Sequence, residues 1–283
     1  MAVSRTYAKY YRVSAMRQDP TPYYETFDGQ PSPLVAIESA WPSGTSTGWH
    51  SHARGQLLYA ITGVMVIQSE AGTWVVPSNR ALWMLPGLRH TVRMSGDVDM
   101  RTAYIDTDAA RNLPTQTCVI NVSPLLRALL MEAVRLPRSG PLLPRAEHIV
   151  GLILDELRIS SSLALHLPTP GHPVLRKLCQ ALIETPSDRS SARDWSARVG
   201  MGERTLHRLF SQQTGMTFAQ WREQARLLSA LKDIAEGKKG IEVALNCGYS
   251  SQSAFSAMFR RHFSLTPSEF YRQLTEDGQN PQP

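Results

Sequence analysis

Between Leu34 and Asp106, hydrophobic residues come in short runs broken at near-regular intervals. The runs Leu34–Ile37, Leu57–Ile61, Val64–Gln68, Thr73–Val76, Leu82–Leu85 and Met100–Ile105 are strand-like, and Gly63, Gly72, Pro77, Gly87 and Gly96 fall at the breaks. Many short strands with turns at such spacing predict an antiparallel sandwich or barrel over residues 34–122. Past Ser123 the period changes. Leu126, Leu129, Leu130 and Ala133, then Val150, Ile153, Leu154 and Leu157, recur at helical spacing, predicting helices over 123–136 and 145–160 within a helical region 123–166. The segment Leu167-Pro-Thr-Pro-Gly-His-Pro173 predicts a stiff, structureless linker. Beyond it helices are predicted at 174–185, 191–199, 203–213, 217–236, 239–247, 252–262 and 267–275, an all-α unit over 174–276. A polar, proline-bearing arm (1–33) and a tail (277–283) flank the whole.

The helical unit contains a repeat. Leu206, Phe210, Met216, Thr217 and Trp221 match Phe255, Phe259, Leu265, Thr266 and Phe270, each pair 49 residues apart. In both copies a short helix ends at a glycine, Gly200 or Gly248. A second helix then carries a hydrophobe and, four positions on, a Phe. This is the sequence form of helix-turn-helix, in which the glycine permits the left-handed turn and the hydrophobes lock one helix across the other. Thr217-Phe-Ala-Gln220 and Thr266-Pro-Ser-Glu269 read as capping boxes, with Pro267 at the first helical position, and Gly202 stands at an N-cap where Ser would be stronger. The helix 217–236, with Trp221, Ala225, Leu228, Leu231 and Ala235 on one face and Gly237 as a stop, reads as a rod joining the two units.

Composition sharpens the picture. The chain has 283 residues and a net charge of +6, and residues 173–275 alone hold 15 Lys and Arg against 9 Asp and Glu. A basic block of that size suits a polyanion. Three scattered cysteines, Cys118, Cys179 and Cys247, argue against a disulfide framework and for a reducing compartment. The first residues lack the apolar stretch of a signal peptide, and no run is long enough to span a membrane, so cytoplasm is the expected location, with no membrane partner.

The stretch Ala244-Leu-Asn-Cys-Gly-Tyr-Ser-Ser-Gln-Ser-Ala-Phe-Ser-Ala-Met-Phe-Arg-Arg-His-Phe-Ser-Leu-Thr-Pro-Ser-Glu-Phe-Tyr-Arg272 resembles the C-terminal signature of the AraC/XylS family of transcription regulators. The resemblance covers 173–275 and departs at Ser196 and Ser264, where Ala and Gly are usual. It implies sequence-specific binding of double-stranded promoter DNA, with RNA polymerase a further partner if the protein activates. Arg204, His207 and Arg208 are then the outward base-reading face of the first recognition helix, since Arg can grip guanine with two hydrogen bonds. Gln252, Ser253 and Ser256 form the second, weaker face, with Ala257 where some relatives carry Arg, and Arg260 and Arg261 are expected on phosphate. A solvated helix face is the plainer reading of the same residues.

Residues 44–63 read Gly44-x5-His50-x-His52-x3-Gln56-x6-Gly63, and Leu85-Pro86-Gly87-Leu88-Arg89-His90 follows. These resemble the two motifs of cupin barrels, with Gln56 where metal-binding cupins put Glu, Leu85 in place of a Pro and Asn79 in a Gly position. The resemblance implies that His50, His52, Gln56 and His90 converge inside the barrel. His50 and His52, two apart on a strand, would share a face. Three imidazoles and an amide suit a divalent metal such as zinc or nickel, or they line a pocket for a small organic effector, or they are the remains of a vestigial site. Arg54 beside the motif is either a partner for an anionic effector or a surface charge. Trp49, Tyr59, Trp74 and Trp83 are candidates for the lining or for core packing.

The expected protein is thus a two-domain, ligand-controlled regulator and not an enzyme. A cupin-type antiparallel β-barrel plus helices precedes an all-α domain with two helix-turn-helix units joined by a long helix, and the helical region 123–166 forms a homodimer contact. A metal-dependent cupin oxygenase or isomerase is the competing class, weighed down by the missing acidic ligand. An adaptor that senses nothing is a third.

Overall fold

A computed structural model describes residues 31–78, 80–137, 142–159, 162–163, 165–263 and 265–272. The arm's first thirty residues, Asn79, Ser264 and the tail lie outside them. The described residues include ten strands, the last two following a pair of helices: β1 (Leu34–Trp41), β2 (Gly55–Ala60), β3 (Val64–Ser69), β4 (Gly72–Pro77), β5 (Arg80–Met84), β6 (His90–Ser95), β7 (Val98–Ile105), β8 (Cys118–Asn121), β9 (Ser162–Leu163) and β10 (His166–Pro168). They form two antiparallel sheets, ordered β1-β7-β2-β5-β8-β9 and β10-β4-β3-β6. This is the predicted barrel, with β6 and β8–β10 added to the strands foreseen.

Period-2 alternation explains why β2 is buried at all six positions. Leu58 and Ala60 join a core shared with the second sheet, while Leu57 and Tyr59 face a second core with α1 (Pro124–Ala133) and α2 (Pro144–Ile159). Ser123 caps α1 by accepting from the Leu126 amide. The eight residues read as the apolar stripes of these helices are all buried. Tyr59, Trp74 and Trp83 are core residues, but Trp49 is 50% exposed, its ring under the Arg89 guanidinium at 5.4 Å.

The helical region does not stay helical to 166. After α2 the chain returns to the barrel, β9 pairing β8 and β10 pairing β4. Runs of two or three residues carry too little pattern to be read as strands. The linker at 167–173 is corrected too: Leu167 and Pro168 belong to β10, an edge strand, where a missing N–H is tolerated. The rest of it is pinned, His172 donating its amide to Gln213 Oε1 at 2.8 Å and Trp221 donating Nε1–H to the Pro168 carbonyl at 2.9 Å.

The remaining helices are α3 (Pro173–Glu184), α4 (Ala192–Arg198), α5 (Glu203–Thr214), α6 (Phe218–Ala235), α7 (Gly240–Asn246), α8 (Gln252–Phe263) and α9, described over 267–272. The first six start and stop within about two residues of their expected bounds, and α9 starts at the expected residue, its expected end at 275 lying outside the described residues. The rod α6 packs against β3, β4 and β10, and one continuous core runs from Met65 and Val76 in the barrel to Trp221, Leu228 and Phe259. Among the described residues, no helix is long and apolar enough to cross a membrane.

Candidate nucleic-acid interface and barrel site

Both helix-turn-helix units close with the same backbone device. Gly200 has φ +66° and Gly248 φ +77°. The Gly200 amide reaches the Ala197 carbonyl and Met201 that of Ser196, and Gly248 and Tyr249 repeat this with Leu245 and Ala244. The hinges lie 48 residues apart although the cores lie 49 apart, so the second turn is one residue longer. Leu206, Phe210, Phe255 and Phe259 have no exposed surface. Phe210 meets Trp221 edge-on at 5.8 Å, and Phe259 meets Phe270 likewise at 5.3 Å. The capping boxes of Thr217 with Gln220 and Thr266 with Glu269 are both formed, and a third, Ser191 with Asp194, starts α4.

With those hydrophobes inward, Arg204, His207 and Arg208 are exposed on α5. His207 lies 3.9 Å from Glu203, and Arg208 donates to Gln212 at 3.1 Å. On α8, Gln252, Ser253 and Arg260 are exposed and Ser256 is half-buried. With Ala257, Arg261 and Thr266 they line an open groove of about 780 Å³. Arg261, expected on phosphate, also has a partner within the domain. Its guanidinium binds Glu223 of α6 at 2.6 Å, alongside His262 at 2.9 Å. These contacts brace α8 against the rod and hold the Glu223 carboxyl below its usual range, against the opposing effect of burial. Nothing in the linear spacing of residues 223 and 261 signals this pair.

In the barrel, His50, His52 and His90 come together, each offering a ring nitrogen within 4.8 Å of the others. They do so without the strand expected for the first two. His50 makes only an isolated bridge, to His90, and His52 lies in an extended loop, where the alternation still turns both inward. Each imidazole sets one nitrogen against a nearby carbonyl: His50 Nδ1 and Gly48 at 3.0 Å, His52 Nδ1 and Arg54 at 2.7 Å, His90 Nδ1 and Leu88 at 2.8 Å. A carbonyl only accepts, so Nδ1 carries a proton in each ring, and in a neutral ring Nε2 then keeps its lone pair. His90 Nε2 is buried without a hydrogen-bond partner. Burial above all, with the neighbouring His50, pushes the His90 pKa down to about 3, and burial lowers that of His50. Burial thus favours the neutral forms of His50 and His90.

Gln56 bridges His52 Nε2 at 2.9 Å and the Tyr104 hydroxyl at 3.3 Å. Its Oε1 faces His52 Nε2, and its NH2 donates to the Tyr104 hydroxyl. Tyr104 was invisible to sequence reading because it meets Gln56 only through the β2–β7 register. Arg54 is not a surface charge. It is 2% exposed, donates to the Ser32 carbonyl at 2.8 Å and lies 3.8 Å from Asp106. A buried guanidinium needs such partners, and Ser32 and Asp106 are remote from it in sequence.

Residues 33–167 match an AraC-like ligand binding domain, and residues 195–273 match a helix-turn-helix domain. The HTH-type transcriptional regulator NimR of Escherichia coli K12 is 30% identical over 226 residues, 80% of this chain and 82% of NimR. The regulator RipA of Corynebacterium glutamicum is 35% identical over 107 residues, 37% of this chain and 32% of RipA. Among solved structures, an AraC-type regulator from Chromobacterium violaceum is 30% identical over 37% of this chain and 94% of its own, with a TM-score of 0.34. These relatives are regulators of transcription, not enzymes. With two glycine-hinged helix pairs behind a barrel, and likeness to NimR over most of both chains, the protein belongs to the AraC family of DNA-binding transcriptional regulators.

Proposed function

We propose that this regulator is switched by a ligand held at His50, His52 and His90, that the ligand includes a divalent metal such as zinc or nickel, and that α5 and α8 read promoter DNA. The observation that carries the reading is the convergence of three imidazoles whose Nδ1 atoms are all held by backbone carbonyls. That arrangement fixes the tautomer and aims lone pairs inward, as in metal sites of proteins generally. The orphaned His90 Nε2 supports it. The metal would supply a Lewis-acidic centre tying the loop at His50 and His52 to the start of β6 at His90.

Arg204, His207 and Arg208 contact bases in one half-site, Gln252, Ser253 and Ser256 contact the other, and Arg260 contacts phosphate. Two units on one rod enter successive major grooves, about 34 Å apart on one face of B-DNA. The protein works as a homodimer in the cytoplasm, and contacts RNA polymerase where it activates. Leu125, Leu143, Leu152 and Ile159, all exposed on α1, α2 and the residues just before α2, support the dimer contact.

The test is a selection of promoter fragments bound by the full chain with added zinc or nickel and with a chelator. The metal should raise the melting temperature and change occupancy, and His90→Asn should abolish both effects. Identical binding and identical melting in the two conditions would sink control by metal, while leaving DNA binding untouched.

A further inference from the structure

No side chain of the histidine cluster or beside it in the Gln56 pair carries a negative charge. His50, His52 and His90 offer imidazoles, Gln56 an amide and Tyr104 a phenol. No Asp or Glu joins the cluster among the described residues. Arg54, whose carbonyl holds His52, has its own positive charge faced by Asp106, so this pair brings no net negative charge. The three histidines and Gln56 are each 8% exposed or less.

A divalent ion among such groups would keep both positive charges in a largely dry site. Charge buried without a counter-charge is strongly disfavoured. A zinc-like ion held by three protein nitrogens also keeps a position open. Gln56 is the residue that creates the deficit. Packed in register with Tyr104 on β7 and tied to His52, it occupies the place from which a carboxylate would otherwise neutralise the ion. Outside, Arg89, next to His90, holds its guanidinium over exposed Trp49, next to His50, which adds a cation attractive to an arriving anion.

We infer that the barrel binds a metal ion and a small carboxylate-bearing molecule together, the carboxylate supplying the negative charge that Gln56 withholds. This rests on the metal reading above. The two bind with positive coupling, each raising the affinity of the other by the same factor. The regulator then responds to the coincidence of metal and organic acid, and to neither alone.

The full chain is titrated with cobalt(II) perchlorate in perchlorate medium, with and without acetate as the carboxylate probe, and followed by visible absorption. Acetate should tighten cobalt binding about tenfold or more and alter the spectrum. Gln56→Glu, checked by its melting curve, should bind cobalt tightly in perchlorate alone and ignore acetate. Wild-type affinity that is equal in both media would overturn the inference while the metal reading stands. Affinity that climbs with pH and ignores acetate would do the same, naming hydroxide as the counter-charge. Failure of wild type and variant to bind cobalt in either medium would overturn the metal reading and this inference with it.

Discussion

The Ser95 hydroxyl on β6 donates to Glu236 Oε1 across 3.0 Å, just past the end of α6. Ser95 closes the strand that His90 opens, so one extended segment of about 17 Å runs from the histidine cluster to the DNA-binding rod. Beside it, a Cβ on Gly96 would lie 3.2 Å from the Ala235 carbonyl, so backbone meets backbone there. A ligand that draws His90 toward His50 and His52 therefore bears on a strand already fastened to α6. Ser95→Ala should cost about 1 kcal/mol of stability, the scale of one partly exposed hydrogen bond. It should leave ligand binding intact and reduce the ligand-induced change in DNA affinity. Melting curves and anisotropy titrations on the full chain measure both. An undiminished response in Ser95→Ala would remove this bond from the route.

Acid should unfold the barrel through its histidines. In an unfolded chain His titrates near 6.5, whereas His90 in the fold does so only near 3, chiefly because burial disfavours its charge. Above pH 6.5 neither state takes up the proton and no slope arises. Below it the unfolded state binds a proton that the folded state refuses, so stability falls until about pH 3. Between pH 7 and 5 His90 alone accounts for about 2 kcal/mol. His50 and His166, also lowered by burial, act in the same direction. Urea unfolding at pH 7 and pH 5 should show the loss, and His90→Asn should make it smaller. A variant as pH-sensitive as wild type would contradict the burial of His90.

The helix-turn-helix units were legible in the sequence because each is specified locally. A hinge glycine, a hydrophobe and Phe four apart, and a capped helix all fall within thirty residues, and the repeat states them twice. The histidine convergence was legible through the resemblance of two motifs to those of cupin barrels, even though His50 and His52 proved to lie outside the sheet ladders. What stayed hidden depends on contacts between distant residues. The pairs Gln56 with Tyr104, Arg54 with Asp106, Arg261 with Glu223 and Ser95 with Glu236 follow from register and docking. The strands β9 and β10 are too short to carry a pattern, and Pro168 argued against the second.

The two hinge glycines should differ in how much an alanine costs. At Gly200 a Cβ meets nothing within 4 Å, so only the left-handed backbone at φ +66° resists it. That conformation costs a residue with a side chain about 1–2 kcal/mol. At Gly248 the Cβ would also stand 2.8 Å from Arg226 Nη2 and 3.0 Å from the Ser187 backbone. Arg226 is not free to retreat, because it holds the Pro186 and Asp188 carbonyls at 2.9 and 2.8 Å. Gly248→Ala should therefore destabilise more than Gly200→Ala, by about 1 kcal/mol or more beyond the backbone term. Equal shifts in melting temperature would mean that the loop before α4 yields freely.

The basic residues of the two recognition helices should separate by salt dependence. Arg204→Ala and Arg208→Ala remove donors able to grip a guanine edge, and each should cost about 1–3 kcal/mol on the preferred site while flattening the preference among sites. Arg260→Ala should weaken all sequences alike and lower the slope of log affinity against log salt by about one. Arg261→Ala should leave that slope nearly unchanged, since the guanidinium is already committed to Glu223. Its effect should appear instead as a loosening of α8 against α6. Glu223→Gln, which releases Arg261 to the solvent, should steepen the slope where Arg261→Ala does not. Titrations at several salt concentrations measure all five variants, and a slope lowered equally by Arg260→Ala and Arg261→Ala would mean that DNA takes Arg261 away from Glu223.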